Sequence, residues 1–269
     1  MGGFEYSLLQ GHRRLVWDLL RDTDAYYLNH HVILVDFTAI ETVRDAYEAA
    51  SLPKPSYVAL GLYTLASVLP HHPHFNSYLR VYPFTRVARY AGIDIAYTLE
   101  KAGASGETIL SLSVLKNCEV YSFGEFLKQF QGQKDATLEE LGYHRTHRFF
   151  LAIPGFLRTL LFRILCKPFP GIMRRIAGTV GFTSVGKWGT DITTPLSPKT
   201  MTLSLGCIRR RPMERDGELK LVSSAYVTLT YDHRVADGRD CARFGAQIKE
   251  FLESEILEPA LANLGVKSP

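Results

Sequence analysis

A mixed α/β fold, with helices packed on the faces of one large β-sheet, is the architecture this 269-residue sequence predicts. Three observations carry that expectation. Stretches of period-two alternation and of helical periodicity interleave irregularly along the chain. An apolar content of 46% at this length is enough to bury a large core. No Pro/Gly/Ser-rich linker and no internal repeat interrupts the chain, so we expect a single domain over 1–269, with a basic, mostly helical insertion at about 133–178. A dinucleotide fold is excluded by the lack of GxGxxG after a first strand, and no Walker motif is present.

The elements follow in order. Leu15, Leu19 and Leu20 stand at helical spacing and predict a helix over 10–22. His31 to Ala39 reads as a strand and Thr42 to Ala50 as a short helix. The nearly all-apolar run Tyr57 to Leu69 predicts a buried helix, ended by Pro70. His71-His72-Pro73-His74 follows as a loop. It has no neighbouring acid or cysteine, so we expect a solvated turn and not a metal site. Strands are predicted at 77–83, 86–98 and 107–116; in the third, Ile109, Ser111 and Ser113 alternate with Leu110, Leu112 and Val114. Ser122 has Glu125 three residues on, the pattern of a capping box, and predicts a helix to about Gln131. Strands at 179–185, 200–208 and 219–231 lead into a last helix over 237–255.

Charge and cysteine usage bound the function. A net charge of +4 is mild and gives no reason to invoke nucleic acid. Cys118, Cys166, Cys207 and Cys241 are scattered without a CxxC pair, which argues against zinc or a disulfide framework and suits a reducing cytosol. There is no signal pattern at the N-terminus and no apolar run near the roughly 18–20 residues of a membrane span. We therefore expect a cytoplasmic protein. The distribution of charge is uneven, because Leu141 to Thr190 holds no Asp or Glu, only Arg, Lys and His.

The segment Tyr231-Asp232-His233-Arg234-Val235-Ala236-Asp237-Gly238 is the densest in chemistry. It follows an alternating strand, so it presents His233 at a strand end, and imidazole is the side chain best suited to proton transfer near neutral pH. Asp237 caps the following helix and Gly238 permits a tight turn. This segment resembles the DHRxxDG signature of the catalytic domain of 2-oxoacid dehydrogenase acyltransferases and is similar to the HHxxxDG motif of chloramphenicol acetyltransferase. Gly181-Phe182-Thr183-Ser184-Val185-Gly186-Lys187-Trp188-Gly189 resembles the same family's strand-turn segment. Pro195-Leu196-Ser197-Pro198 and Leu203-Ser204-Leu205-Gly206 follow at the family's spacing. Ile93-Asp94-Ile95-Ala96 and the helix start at Val120–Phe126 are similar to upstream family segments. The likeness is strong for residues 179–252 and collinear for residues 12–132.

The resemblance implies a chloramphenicol acetyltransferase-like two-layer fold and direct acyl transfer from a thioester, with no covalent acyl-enzyme. His233 is then the general base, Thr183 the hydroxyl that stabilises the oxyanion, and Ser184 its substitute. Thr183 stands where the family has serine. Asp237 takes the family's mainly structural aspartate, with Arg13 or Arg14 as a possible partner. The donor expected is acyl-CoA or an acyl-carrier thioester, with coenzyme A as a substrate and no metal, no redox cofactor and no covalent lipoyl group. A homotrimer is implied, because in the family the histidine and the hydroxyl come from neighbouring subunits. The likeness begins close to Met1, so we expect a stand-alone member without lipoyl or subunit-binding modules. The polar Lys267-Ser268-Pro269 end argues against a cube-like core. Two alternatives stay open: transfer to lipoyl domains supplied in trans, and a catalytically silent scaffold or membrane-docking protein. A condensation domain is disfavoured, since it needs two such halves and Asp232 replaces the first histidine of its motif.

Pro154 to Lys167 departs from these relatives. It plots as an amphipathic helix, with Leu157, Leu160, Leu161, Ile164 and Leu165 on one face and Arg158, Thr159, Arg163 and Lys167 opposite. We expect the apolar side to lie on the core. Peripheral membrane contact through 144–175, or docking of coenzyme A or carrier-protein phosphates, are the other readings.

Overall fold

The longest strand organises the sheet. The computed structural model describes residues 27–80, 84–102, 108–140, 152–215 and 217–266, so the helix expected over 10–22 lies outside the described residues. β9 (Glu218–Asp232) pairs antiparallel with β1 (Leu28–Asp36) along one side, and along the other with β7 (Met201–Leu205) and then β8 (Arg209–Arg215). β7 runs parallel to β6 (Val180–Ser184), β6 parallel to β4 (Ile95–Ala102), and β4 antiparallel to β5 (Thr108–Leu115). The order is β1-β9-β7-β6-β4-β5, a mixed sheet as expected. β2 (Ser77–Arg80) and β3 (Arg86–Arg89) form a separate hairpin.

Period-two alternation gives the sheet two unlike faces. Val227, Leu229 and Tyr231 of β9 share one face with Leu203 of β7 and Phe182 of β6, and all are buried in the core. Helices cover this face. α1 (Thr38–Ala49) buries Ala39, Ile40, Val43 and Tyr47, one stripe at helical spacing. α2 (Tyr57–Val68) is buried on nearly all sides, as its composition predicts, and Ser56 caps it by accepting from the Ala59 amide at 3.1 Å. α2 lies so close to β6 that a Cβ on Gly61 would stand 2.9 Å from the Phe182 ring, hence glycine there. α3 (Phe123–Asp135) has the expected capping box of Ser122 and Glu125 and lays Phe130 against Tyr97. α4 (Gly155–Leu161) continues into a π turn over Phe162–Cys166, and α5 (Pro170–Ala177) follows; neither adds a residue to the core cluster on this face. α6 (Gly238–Glu250) and α7 (Leu257–Ala262) complete the layer, with Cys241, Phe244 and Ile248 of α6 buried.

Several boundaries differ from the sequence expectation for physical reasons. β1 stops at Asp36 because its carboxylate accepts from the Thr38 amide (2.8 Å) and hydroxyl (2.6 Å), which starts α1 four residues earlier than expected. The strand expected over 86–98 is two strands, β3 and β4, broken around Gly92. β8 was not expected. Its sequence is mostly charged and carries Pro212, which an edge strand tolerates. The His71–His74 turn is not solvated throughout. His72 is buried, its Nε2 lies 2.7 Å from Gln247 Oε1, and its ring packs on Phe244.

The largest correction concerns α4. Its polar residues face inward, Arg158 and Thr159 being only 4% and 5% exposed, whereas Phe156 is 80% and Ile164 57% exposed. The segment is fastened by other groups than its leucines. The Tyr78 and Tyr90 hydroxyls donate to the Lys167 and Pro170 carbonyls, and Cys166 and Met173 are buried.

Asp94 ties this segment to the sheet. Its carboxylate accepts from Arg174 of α5 (Nε 2.8 Å, Nη2 3.0 Å) and from the Asn117 amide (2.9 Å). Its carbonyl accepts from the Thr179 amide at 2.7 Å, at the start of β6. Gly178 turns the chain there with φ +71°, and a Cβ on it would meet that carbonyl at 2.7 Å. Lys199 Nζ reinforces the junction by donating to the Ala177 and Gly178 carbonyls at the end of α5. Burial alone would raise the Asp94 carboxyl, but the Arg174 guanidinium and Asn117 amide hold it below its ordinary 3.8. The lowered value means that this carboxylate stabilises the fold above about pH 4 and ceases to as pH falls through its folded value. Asp94→Ala, which leaves Arg174 only its bond to the Asn117 side chain, is expected to lower stability in urea unfolding by about 2 kcal/mol at neutral pH. The gap to wild type should narrow on acidification below the carboxylate range.

Candidate functional site

His233 stands just past the end of β9, where the sheet hands the chain to α6. Its backbone amide donates to the Tyr27 carbonyl at 2.7 Å. Its flanking residues bind each other and not the imidazole. Arg234 pairs with Asp232 through Nε–Oδ1 (2.9 Å) and Nη2–Oδ2 (2.6 Å), and its guanidinium lies over the Tyr27 ring at 4.4 Å. His233 is left exposed, with Nδ1 3.0 Å from the Ala236 carbonyl. A carbonyl oxygen only accepts, so Nδ1 carries the proton of the neutral ring and Nε2 is the basic nitrogen. The Tyr231 ring packs at 5.7 Å behind it and itself meets the edge of His31.

Asp237 is the N-cap of α6. Its carboxylate accepts from the Asp240 amide at 2.9 Å, and that bond holds its carboxyl below the ordinary range. It is therefore an ionised cap at neutral pH, not a proton donor. Its expected partners Arg13 and Arg14 lie outside the described residues.

Thr183 and Ser184 are consecutive in β6, so their side chains leave opposite faces of the sheet. Ser184 lies on the helix-covered face and its hydroxyl donates to the Leu205 carbonyl at 3.0 Å. Thr183 lies on the other face. There the register sets it beside Ser204 of β7 and, one strand further, Thr228 of β9. Sequence reading missed these two neighbours, because serine and threonine in a strand carry no local mark of which strand they will adjoin.

The sheet separates the histidine from both hydroxyls. Antiparallel pairing puts the end of β9 beside the start of β7, with Tyr231 opposite Met201, while Thr183 sits beside the far end of β7. Five residues part Thr228 from His233, so the two candidates stand roughly 16 Å apart along the strands and two strands apart across them. A base and an oxyanion donor must both approach one carbonyl to about 3 Å. The structure of one chain does not bring these residues together. Among the described residues no group of three or more His, Cys, Asp or Glu could hold a metal ion.

The chain is similar to known proteins in part of its sequence and in its fold. Residues 176–260, which contain all four candidates, match the family model described as 2-oxoacid dehydrogenases acyltransferase (catalytic domain). The dihydrolipoyllysine-residue succinyltransferase component of the 2-oxoglutarate dehydrogenase complex of Escherichia coli is 36% identical over 78 residues, 28% of this chain and 19% of that protein. The chain thus spans about a fifth of the length of the curated relatives it matches. The fold extends much further. A probable dihydrolipoamide acetyltransferase from Listeria monocytogenes superposes with a TM-score of 0.68 over 95% of this chain and 96% of that one, at 18% identity. The dihydrolipoamide acetyltransferase of Azotobacter vinelandii does so at 0.67 over 94% and 93%, at 19% identity. The chain shares the fold of these two proteins.

The cap assignment of Asp237 has a direct check. Asn caps a helix as well as Asp, and Ala does not. Asp237→Asn is expected to keep the melting temperature, while Asp237→Ala lowers it by several degrees in a thermal scan.

Proposed function

We propose that this chain is an acyltransferase that moves an acyl group directly from a thioester, acyl-CoA, to a nucleophilic acceptor, in a site assembled between copies of the chain. The observation that carries the reading is the pinning of His233 Nδ1 on the Ala236 carbonyl, which leaves Nε2 as an accessible base. The family match over residues 176–260 supports the same assignment. In the Azotobacter vinelandii acetyltransferase, the catalytic mechanism was examined through one serine, one histidine and one asparagine. The last two stand four positions apart, as His233 and Asp237 do here.

The chemistry then runs in two strokes. Nε2 takes the proton from the acceptor's thiol, hydroxyl or amine as that atom attacks the thioester carbonyl. The Thr183 hydroxyl of a neighbouring copy donates to the oxyanion. The tetrahedral centre collapses, the C–S bond breaks, and the departing thiolate recovers the proton from His233. Thr183 is the better candidate because the Ser184 hydroxyl is committed to the Leu205 carbonyl on the helix side. The separation of His233 from Thr183 within one chain favours a site between copies, with one of these residues from each of two neighbours, and the family resemblance makes that assembly a trimer.

A second reading keeps the chemistry and changes the acceptor. The curated relatives are named for a dihydrolipoyllysine residue, so the acceptor would be the dihydrolipoyl thiol of a lipoyl domain supplied by another chain. A silent scaffold is the weaker reading, since it has no use for a base held ready in this way.

Thiol release from acyl-CoAs of graded chain length, with and without dihydrolipoamide, tests these readings together. His233→Ala is expected to lower kcat by ~10²–10⁴-fold and Thr183→Ala by about 10²-fold or more, with Ser184→Ala much milder. Release only in the presence of dihydrolipoamide selects the second reading. Release that ignores His233 contradicts both.

A further inference from the structure

The surface of α4 is inside out for a helix that packs on a core, and apolar exposure continues into the start of α5. The polar Arg158 and Thr159 are buried, and Phe156, Leu160, Ile164, Phe169 and Ile172 are 40–80% exposed. These five belong to one short stretch of chain, α4, its π-turn extension and the start of α5. Isolated apolar side chains on a surface need no explanation, whereas a contiguous set marks a contact. Exposed Arg163 and Arg175 lie among them, and no acid occurs anywhere from Leu141 to Thr190.

We propose that this face docks on a membrane surface that carries anionic lipid. The composition matches an interfacial helix: apolar residues to enter the acyl boundary, cations to meet phosphate headgroups, and no carboxylate to repel them. The length agrees as well. Residues 155–166 span about 18 Å, and no described helix is long and apolar enough to cross a bilayer, so the segment lies on the surface. Charge argues against a two-fold contact of this face with itself. A two-fold contact would bring the same cations face to face, while an anionic surface neutralises them. The segment precedes the stretch matched by the family model, which begins at residue 176. Gly178 and Thr179 join it directly to β6, the strand of Thr183. An attached membrane would therefore hold one half of the proposed site at a fixed height above the lipid.

Flotation of the full chain with vesicles tests this. One set is phosphatidylcholine alone, the other equal parts phosphatidylcholine and phosphatidylglycerol. The wild type is expected to float with the anionic vesicles, to bind phosphatidylcholine far more weakly, and to lose binding as salt rises. The pair Leu160→Asp with Ile164→Asp alters exposed positions only. It should leave the far-UV circular dichroism unchanged and reduce anionic binding more than about ten-fold. Arg163→Glu with Arg175→Glu should weaken anionic binding and spare the residual binding to phosphatidylcholine. Absence of wild-type binding to anionic vesicles at low salt overturns the proposal. So does undiminished binding of the Leu160/Ile164 variant, or a wild type that ignores vesicles and loses self-association on that substitution. None of these results depends on thiol release, so failure here leaves the acyltransfer reading standing.

Discussion

The antiparallel register of β9 on β7 is the constraint on which the rest of the molecule depends. Among the described residues, β9 is the one strand that holds three partners, β1 on one side and β7 followed by β8 on the other. Its inward residues Val227, Leu229 and Tyr231 are among the most deeply buried of the core. A slip of one residue would turn every one of them to the opposite face, so the burial fixes the register. The register in turn delivers His233 to one end of the sheet and leaves Thr183 at the other. The catalytic reading therefore does not rest on a cluster within one chain. It rests on a separation enforced by the packing of the core.

The second organising feature is the junction at Asp94. One carboxylate and one carbonyl bind α5, the Asn117 loop and the start of β6 together. That junction explains how an inverted amphipathic segment stays attached without burying its apolar side. The attachment is made by polar groups: the Asp94–Arg174 pair, the Tyr78 and Tyr90 hydroxyls, and Lys199 at the end of α5. Apolar surface on α4 is then free to remain outside, a cost that hydrophobic burial would ordinarily remove and that a contact surface accounts for.

Local signals were legible in the sequence and long-range geometry was not. Ser122 with Glu125, and Asp237 as a cap, work through neighbours within a few residues, and each fixed its helix start. The position of His233 at a strand end was legible for the same reason. The orientation of α4 was not, because periodicity says which side chains share a face and is silent on where that face points. β8 escaped notice because an edge strand needs no apolar alternation. In sequence Thr183 was preferred by its alignment alone, with Ser184 as its substitute. Alternation along β6 separates them, since one hydroxyl meets the Leu205 carbonyl and the other leaves the opposite face beside Ser204.

The central claim is that base and oxyanion donor act together only across two copies of the chain. Mixing two inactive variants, His233→Ala and Thr183→Ala, after joint unfolding and refolding tests it most directly. Sites that draw their histidine from one variant and their hydroxyl from the other are whole, so the account predicts thiol release well above that of either variant refolded alone. A mixture no more active than the two separate variants would contradict it and place both residues, or neither, in a site within a single chain.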